Sequence, residues 1–114
     1  MTKNLSLNLI AALEIKRVNE QKFKEVANLV FPPIAHETGW KLTSLWIIPE
    51  ENSSSVKVQN QWQTNTKSTA VAESELNRAM KTLTETLPNY QSNLEMLDTL
   101  IDQESIYYAT SYTN

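Results

Sequence analysis

The sequence predicts an α+β fold of ferredoxin-like type, β-α-β-β-α-β, in which a four-stranded antiparallel sheet carries its helices on one face. Three observations predict it. An alternating apolar run precedes a helical run near the start of the chain; two more alternating runs follow back to back; and a long helical stretch broken at Pro88 leads into a final run rich in tyrosine. With 114 residues, 40% of them hydrophobic, the chain is read as one domain spanning 1–114, large enough to bury a core without a metal or a disulfide.

The first strand is expected from Leu5 to about Lys16, where Leu5, Leu7, Leu9, Ala11, Leu13 and Ile15 alternate with Ser6, Asn8, Ile10, Ala12, Glu14 and Lys16. Asn19 then offers an N-cap and Glu20 a negative charge at the positive helix start, and Phe23, Val26, Ala27, Val30 and Ile34 recur at helical spacing. Pro32 and Pro33 interrupt that stripe, which predicts a kink, or an end and restart, before the stop at Gly39. After Gly39, Trp40, Leu42, Ser44, Trp46 and Ile48 alternate with Lys41, Thr43, Leu45 and Ile47 up to Pro49, and Glu50 to Ser55 reads as a polar hairpin loop. The next strand has the cleanest alternation, with Val56, Val58, Asn60 and Trp62 on one face and Lys57, Gln59, Gln61 and Gln63 on the other. Ser68 or Thr69 can cap the long helix that follows, whose stripe is Ala72, Leu76, Ala79, Met80, Leu83 and Leu87. Beyond Pro88 a shorter helix carries Tyr90, Leu94, Leu97 and Ile101, and the last strand is expected over Ser105 to Tyr112.

Composition removes several functions. A net charge of -3 and no Lys/Arg cluster make nucleic acid and anionic membranes poor partners. Absence of Cys excludes a disulfide framework, a thiolate zinc site and Cys catalysis. A single glycine excludes the glycine-rich phosphate loops. One His without an EF-hand series makes a metal improbable on ligand supply, and no G-x-S-x-G elbow is present. No run of about 18 apolar residues reads as a membrane span, and the start lacks the apolar core of a signal peptide, so a cytoplasmic location is the default expectation.

The face carrying Val56, Val58, Asn60 and Trp62 suits packing under helices. The other face holds Lys57, Gln59, Gln61 and Gln63, with Leu45, Ile47, Ile10 and Ala12 expected beside them. A sheet face of this mixed character predicts a homodimer in which two sheets face each other about a two-fold axis.

The run FPPIAHETGWKLTSLW (Phe31 to Trp46), the strand VKVQNQWQT and the ending LPNYQSNLEMLDTLIDQESIYYATSY resemble the NIPSNAP family, within the dimeric α+β barrel superfamily. The resemblance implies a barrel-like dimer with a pocket between sheet and helices, of the kind used by cofactor-independent monooxygenases, haem-degrading enzymes, polyketide cyclases and muconolactone isomerases. Family members carry an acidic residue, an Arg and a Tyr along the first strand and then a Pro-Gly turn. Here that region reads LEIKRVNEQ, with neither tyrosine nor Pro-Gly, so whatever those residues do is not carried over.

Each candidate site residue has a structural competitor. Asn60 and Trp62 share a strand face and resemble the Asn and Trp that hold substrate and oxygen in the superfamily's monooxygenases; a Trp beneath helices is commonly core. His36 is the only possible His acid or base, yet its place near the end of the first helix is favourable for a purely electrostatic reason. Haem is disfavoured, because the haem-degrading relatives place their His on the second long helix and this chain has none there. Trp46 is expected as a second pocket wall, Arg78 at a pocket edge, and Tyr108, with Tyr107 and Tyr112, as a possible phenol contact. The pairs Glu50/Glu51 and Glu73/Glu75 read as a loop and a helix start.

Two functions therefore stand: a small dimeric protein binding or transforming an aromatic or polyketide-like molecule without metal or flavin, and a non-catalytic dimeric binding or interaction module. A cavity of about 300 Å³ or more beside Asn60 favours the first, and a packed interior the second.

Overall fold

The computed structural model describes residues 6–110, so the expected strand positions Leu5 and Tyr112 lie outside the described residues. Strand β1 (Leu7–Lys16) passes through a short 3-10 turn into helix α1 (Glu20–Thr38). Strands β2 (Lys41–Ile48) and β3 (Ser55–Gln63) form a hairpin, helices α2 (Thr69–Thr86) and α3 (Tyr90–Leu100) follow, and strand β4 (Ile101–Thr110) ends the described chain. The four strands are antiparallel in the order β2-β3-β1-β4. This is the ferredoxin-like arrangement that the order of sequence patterns predicts.

Alternation in β1 and β3 builds the floor of the core. Leu9, Ala11, Leu13 and Ile15 lie opposite Trp62, Asn60, Val58 and Val56, and all of these are buried. Phe23, Val26, Ala27, Val30 and Ile34 of α1 close over them, with Ala72 and Leu83 of α2 and Tyr90, Leu97 and Leu100 of α3 completing the layer. Ser68 caps α2, its hydroxyl accepting from the Val71 backbone N–H at 3.3 Å. Asn19 occupies the N-cap of α1 without making a side-chain cap bond.

Helix α1 runs through Pro32 and Pro33 as one element rather than restarting. The prolines remove the donors that would meet the carbonyls of Asn28 and Leu29. Both of those residues are exposed, so water can replace the lost bonds. In the same turn the buried Tyr90 hydroxyl donates to the Val30 carbonyl at 2.8 Å, tying α3 to α1 where its backbone is weakest. Burial pushes this phenol up to about 12. Gly39 ends α1 at φ 76, a left-handed conformation that suits glycine, and its N–H donates to Ala35. Thr38 donates its hydroxyl to the Ile34 carbonyl and accepts from the Trp40 N–H, which fixes Trp40 directly after the turn.

Strand β2 departs from simple alternation. Leu42 pairs with Trp62, but Ser44 pairs with Gln61, leaving Thr43 as an extra residue in a β-bulge. The Thr43 hydroxyl donates to the Gln61 carbonyl at 3.1 Å and stitches the bulge to β3. From there on the faces are the reverse of the expected ones. Leu45 and Ile47 lie opposite Asn60 and Val58 on the helix side, whereas Trp46 and Ile48 lie opposite Gln59 and Lys57 on the open side. The expectation that Leu45 and Ile47 belong to the open face is corrected accordingly.

Strand β4 also starts earlier than expected. Ile101 belongs to the strand and not to α3, and pairs with Ile15, while Asp102 is bulged outward to meet the Lys16 ammonium at 3.1 Å. Beyond the bulge, Glu104, Ile106 and Tyr108 take the helix side, opposite Leu13, Ala11 and Leu9.

Candidate functional site: an apolar pocket over Asn60

Neighbouring inward positions of β3 carry Asn60 and Trp62. Their side chains are joined directly: the Trp62 Nε1–H donates to Asn60 Oδ1 at 2.8 Å. This bond assigns the Asn60 amide, because only its oxygen can accept from an indole N–H. The Nδ2 amino group must then point the other way. Asn60 is 2% exposed, and among the described residues its amino group has no hydrogen-bond partner, yet no side-chain nitrogen or oxygen is left both fully enclosed and unpaired. Asn60 lines a pocket between sheet and helices, the space from which Nδ2 can be reached.

That pocket has a volume of about 140 Å³. Phe31 stands edge-on to Trp62, ring centres 5.6 Å apart, so two aromatic walls meet at a right-angled corner. Ile34 and Trp40 extend that wall, and the Trp40 indole N–H donates outward to Glu75 at 3.2 Å, leaving the ring's apolar surface for the pocket. Leu76 and Met80 of α2 form the roof and are half-buried, Leu76 also packing against the edge of the core. Ile101, Glu104 and Ile106 border it from β4. Ile106 is 51% exposed although it faces the helix side, so the mouth opens along β4, where the helices stop short of the sheet edge. Glu104 is the single titratable side chain in the lining.

The predicted residues separate. Asn60 and Trp62 lie together in the pocket. Trp46 does not: the Thr43 bulge turns it to the open sheet face, where it is 57% exposed, and Trp40 takes the wall position expected of it. His36 is exposed in the last turn of α1 and lies outside the lining. Arg78 borders a separate polar cleft with Glu37, Thr38 and Glu75. Tyr108 packs against the margin of the core opposite Leu9, its phenol raised by burial and by the charge of Glu73, and is also outside the lining. Among the described residues no group of three or more His, Cys, Asp or Glu side chains could hold a metal ion, and no helix is long and apolar enough to cross a membrane.

Sequence reasoning missed Phe31, Trp40, Glu104 and Ile106 as pocket residues. Trp40 was detectable, since it is the first residue after the Gly39 turn and directly precedes the strand whose Leu42 pairs with Trp62. Glu104 and Ile106 had no such signal, because a partly covered edge strand shows no burial pattern.

The volume falls below the 300 Å³ set for a roomy aromatic pocket. The interior is neither that large nor filled. An apolar space with one inward N–H donor can bind an apolar molecule and orient it by a single hydrogen bond.

No protein-family model matches the chain, and no curated protein is similar to it in sequence. Solved structures do match in fold. A NIPSNAP family protein from Agrobacterium tumefaciens superposes with a TM-score of 0.66 at 12% identity, over 97% of this chain and 90% of that one. An uncharacterised NIPSNAP domain protein from Burkholderia xenovorans gives 0.65 at 11% identity, over 92% and 93%. A cofactor-independent oxygenase from Streptomyces nogalater gives 0.59 at 12% identity, over 96% of each chain. At these identities the likeness is one of fold: the chain has the α+β fold shared by NIPSNAP proteins and barrel oxygenases, the resemblance read from its motifs.

Proposed function

We propose that this protein is a dimeric α+β barrel that binds a small, ring-bearing molecule in the pocket between sheet and helices. The observation that carries this reading is the Asn60 amino group, an inward donor with no hydrogen-bond partner among the described residues, in a lining that is apolar apart from Glu104 at its mouth. A purely structural Asn at this depth would be expected to spend both ends of its amide on the protein. The fold shared with a cofactor-independent oxygenase supports extending the reading to catalysis of the oxygenase or cyclase type. In that version the Asn60 N–H meets a substrate oxygen that gains charge as a neighbouring C–H is lost, and Glu104 is the side chain in the lining able to take up the proton. The alternative, a non-catalytic dimeric binding module, is favoured by the modest volume and by His36 lying elsewhere.

Dimerisation is proposed through the open face of the sheet. Trp46, Ile48 and Tyr107 stand exposed there around a centre of Gln59 and Gln61. Apolar groups around amides that can pair with each other suit a self-complementary contact.

The three tryptophans provide the test. Indole N–H resonances are followed while a mixture of aromatic fragments is added. Movement of the Trp62 and Trp40 signals with Trp46 unmoved is the expected result. Movement of Trp46 alone, or of none, overturns the pocket reading.

A further inference from the structure

We infer that the ligand of this pocket is a neutral molecule with one ring and one hydrogen-bond acceptor, and not a fused polycyclic or an anion; the inference rests on the binding reading above. Size limits the ring system. A dry cavity of about 150 Å³ lined by aliphatic and aromatic side chains holds a single benzene-sized ring, and this space is about 140 Å³. The Phe31–Trp62 corner, with its rings at 85°, suits one ring placed against the face of one wall and the edge of the other.

Polarity selects the substituent. Among the described residues the one buried polar side chain in the lining is Asn60, and the bond to Trp62 commits its oxygen, so the enclosed part of the pocket offers a donor and no free acceptor, the Glu104 carboxylate lying exposed at the mouth. A carbonyl, ether or ring nitrogen satisfies that donor. A ligand without an acceptor would strip water from Nδ2 and leave it unpaired.

Charge sets the last limit. A carboxylate would also accept from Nδ2, but it would lose its hydration among Leu, Ile, Met and Trp side chains with no cation in the lining, and Glu104 stands at the mouth with the same sign. Desolvation outweighs the one hydrogen bond gained.

Four probes test this by titration of the indole N–H signals: acetophenone, toluene, benzoate and anthraquinone, at neutral pH. Acetophenone should bind about two- to twelve-fold more tightly than toluene, the value of one neutral hydrogen bond, and at least about ten-fold more tightly than benzoate. Anthraquinone should leave Trp62 and Trp40 unmoved. In Asn60→Leu the preference for acetophenone over toluene should vanish. Leu76→Phe, which fills the pocket from a half-buried roof position without touching Asn60, should abolish acetophenone binding with the far-UV spectrum unchanged. Anthraquinone or benzoate binding better than acetophenone, and lost in Leu76→Phe, overturns the ligand class and leaves the binding reading intact. Acetophenone binding that survives Leu76→Phe, or no response to any probe, overturns the inference, and the fragment experiment then decides whether the pocket binds at all.

Discussion

The Trp62–Asn60 hydrogen bond should appear as a coupling energy in a double-mutant cycle. The bond is 2.8 Å long and both partners are almost fully buried. Asn60→Leu leaves the indole N–H without an acceptor, and Trp62→Phe leaves the amide oxygen without a donor; an orphaned buried group costs about 1–3 kcal/mol in either case. Trp62→Phe adds the loss of the larger ring's burial, a term also present in the double variant. Removing both partners eliminates both orphans. The double variant should therefore be more stable than the sum of the single effects predicts by the two orphan costs less the net value of the bond, about 1–5 kcal/mol, towards the low end if pocket water reaches the orphaned oxygen. Urea unfolding followed by far-UV circular dichroism measures it, at one fixed protein concentration so that the proposed dimerisation contributes equally to every variant. Additivity within about 0.5 kcal/mol would refute the assigned amide orientation, and with it the claim that Nδ2 faces the pocket.

Other outcomes follow from single features. Sedimentation of the wild type should give twice the 13.0 kDa chain mass, and Trp46→Lys should shift it towards the monomer at micromolar concentration; a Trp46→Lys protein that stays dimeric would move the interface off the open face. Trp62→Ala should cost about 3–5 kcal/mol, since Trp62 is core on one side even though it walls a pocket on the other, and denaturant midpoints would show it. The Tyr90 phenol titrates at about 12 when folded against 10 in the unfolded chain, so the native state holds its proton more tightly and its contribution, complete below pH 10, is lost as pH rises through 12. Tyr90→Phe should flatten that alkaline decline and cost about 0.5–1.5 kcal/mol near neutrality for the missing bond to Val30. Gly39→Ala should cost about 1 kcal/mol from the left-handed backbone alone, because the nearest atom to the added Cβ is Asn65 Nδ2 at 3.8 Å, an ordinary contact; a loss of about 4 °C in Tm would report it.

Much of the fold was legible because burial is one-sided in its central strands. In β1 and β3 the outward residues are polar often enough to give phase, and Val56, Val58, Asn60 and Trp62 fall where alternation puts them. The same logic fails in β2. Its run Leu45-Trp46-Ile47-Ile48 is apolar on both faces, so parity had to be carried across Thr43, and the bulge there reversed it. Helix α1 read as either kinked or ended and restarted because propensity counts two prolines against it; it continues as one element, with exposed carbonyls and the Tyr90 tether compensating for the lost bonds. Ile101 looked like the end of an apolar helical stripe since the chain enters β4 without a loop. In the site, strand phase gave Asn60 and Trp62, while Trp46, Arg78 and His36 required knowledge of which surfaces meet, and that lives in tertiary packing.

The bulge at Thr43 also has an evolutionary consequence. A chain lacking this one residue would run regularly from Leu42 to Ser44 and keep every later cross-strand partner, so a deletion here is structurally silent for Trp46 and Ile48. Insertions and deletions are ordinarily expected in loops, and an alignment that forbids a gap inside a strand would set Trp46 of this chain against an inward residue of a relative. Homologues of this protein are best compared with that gap allowed.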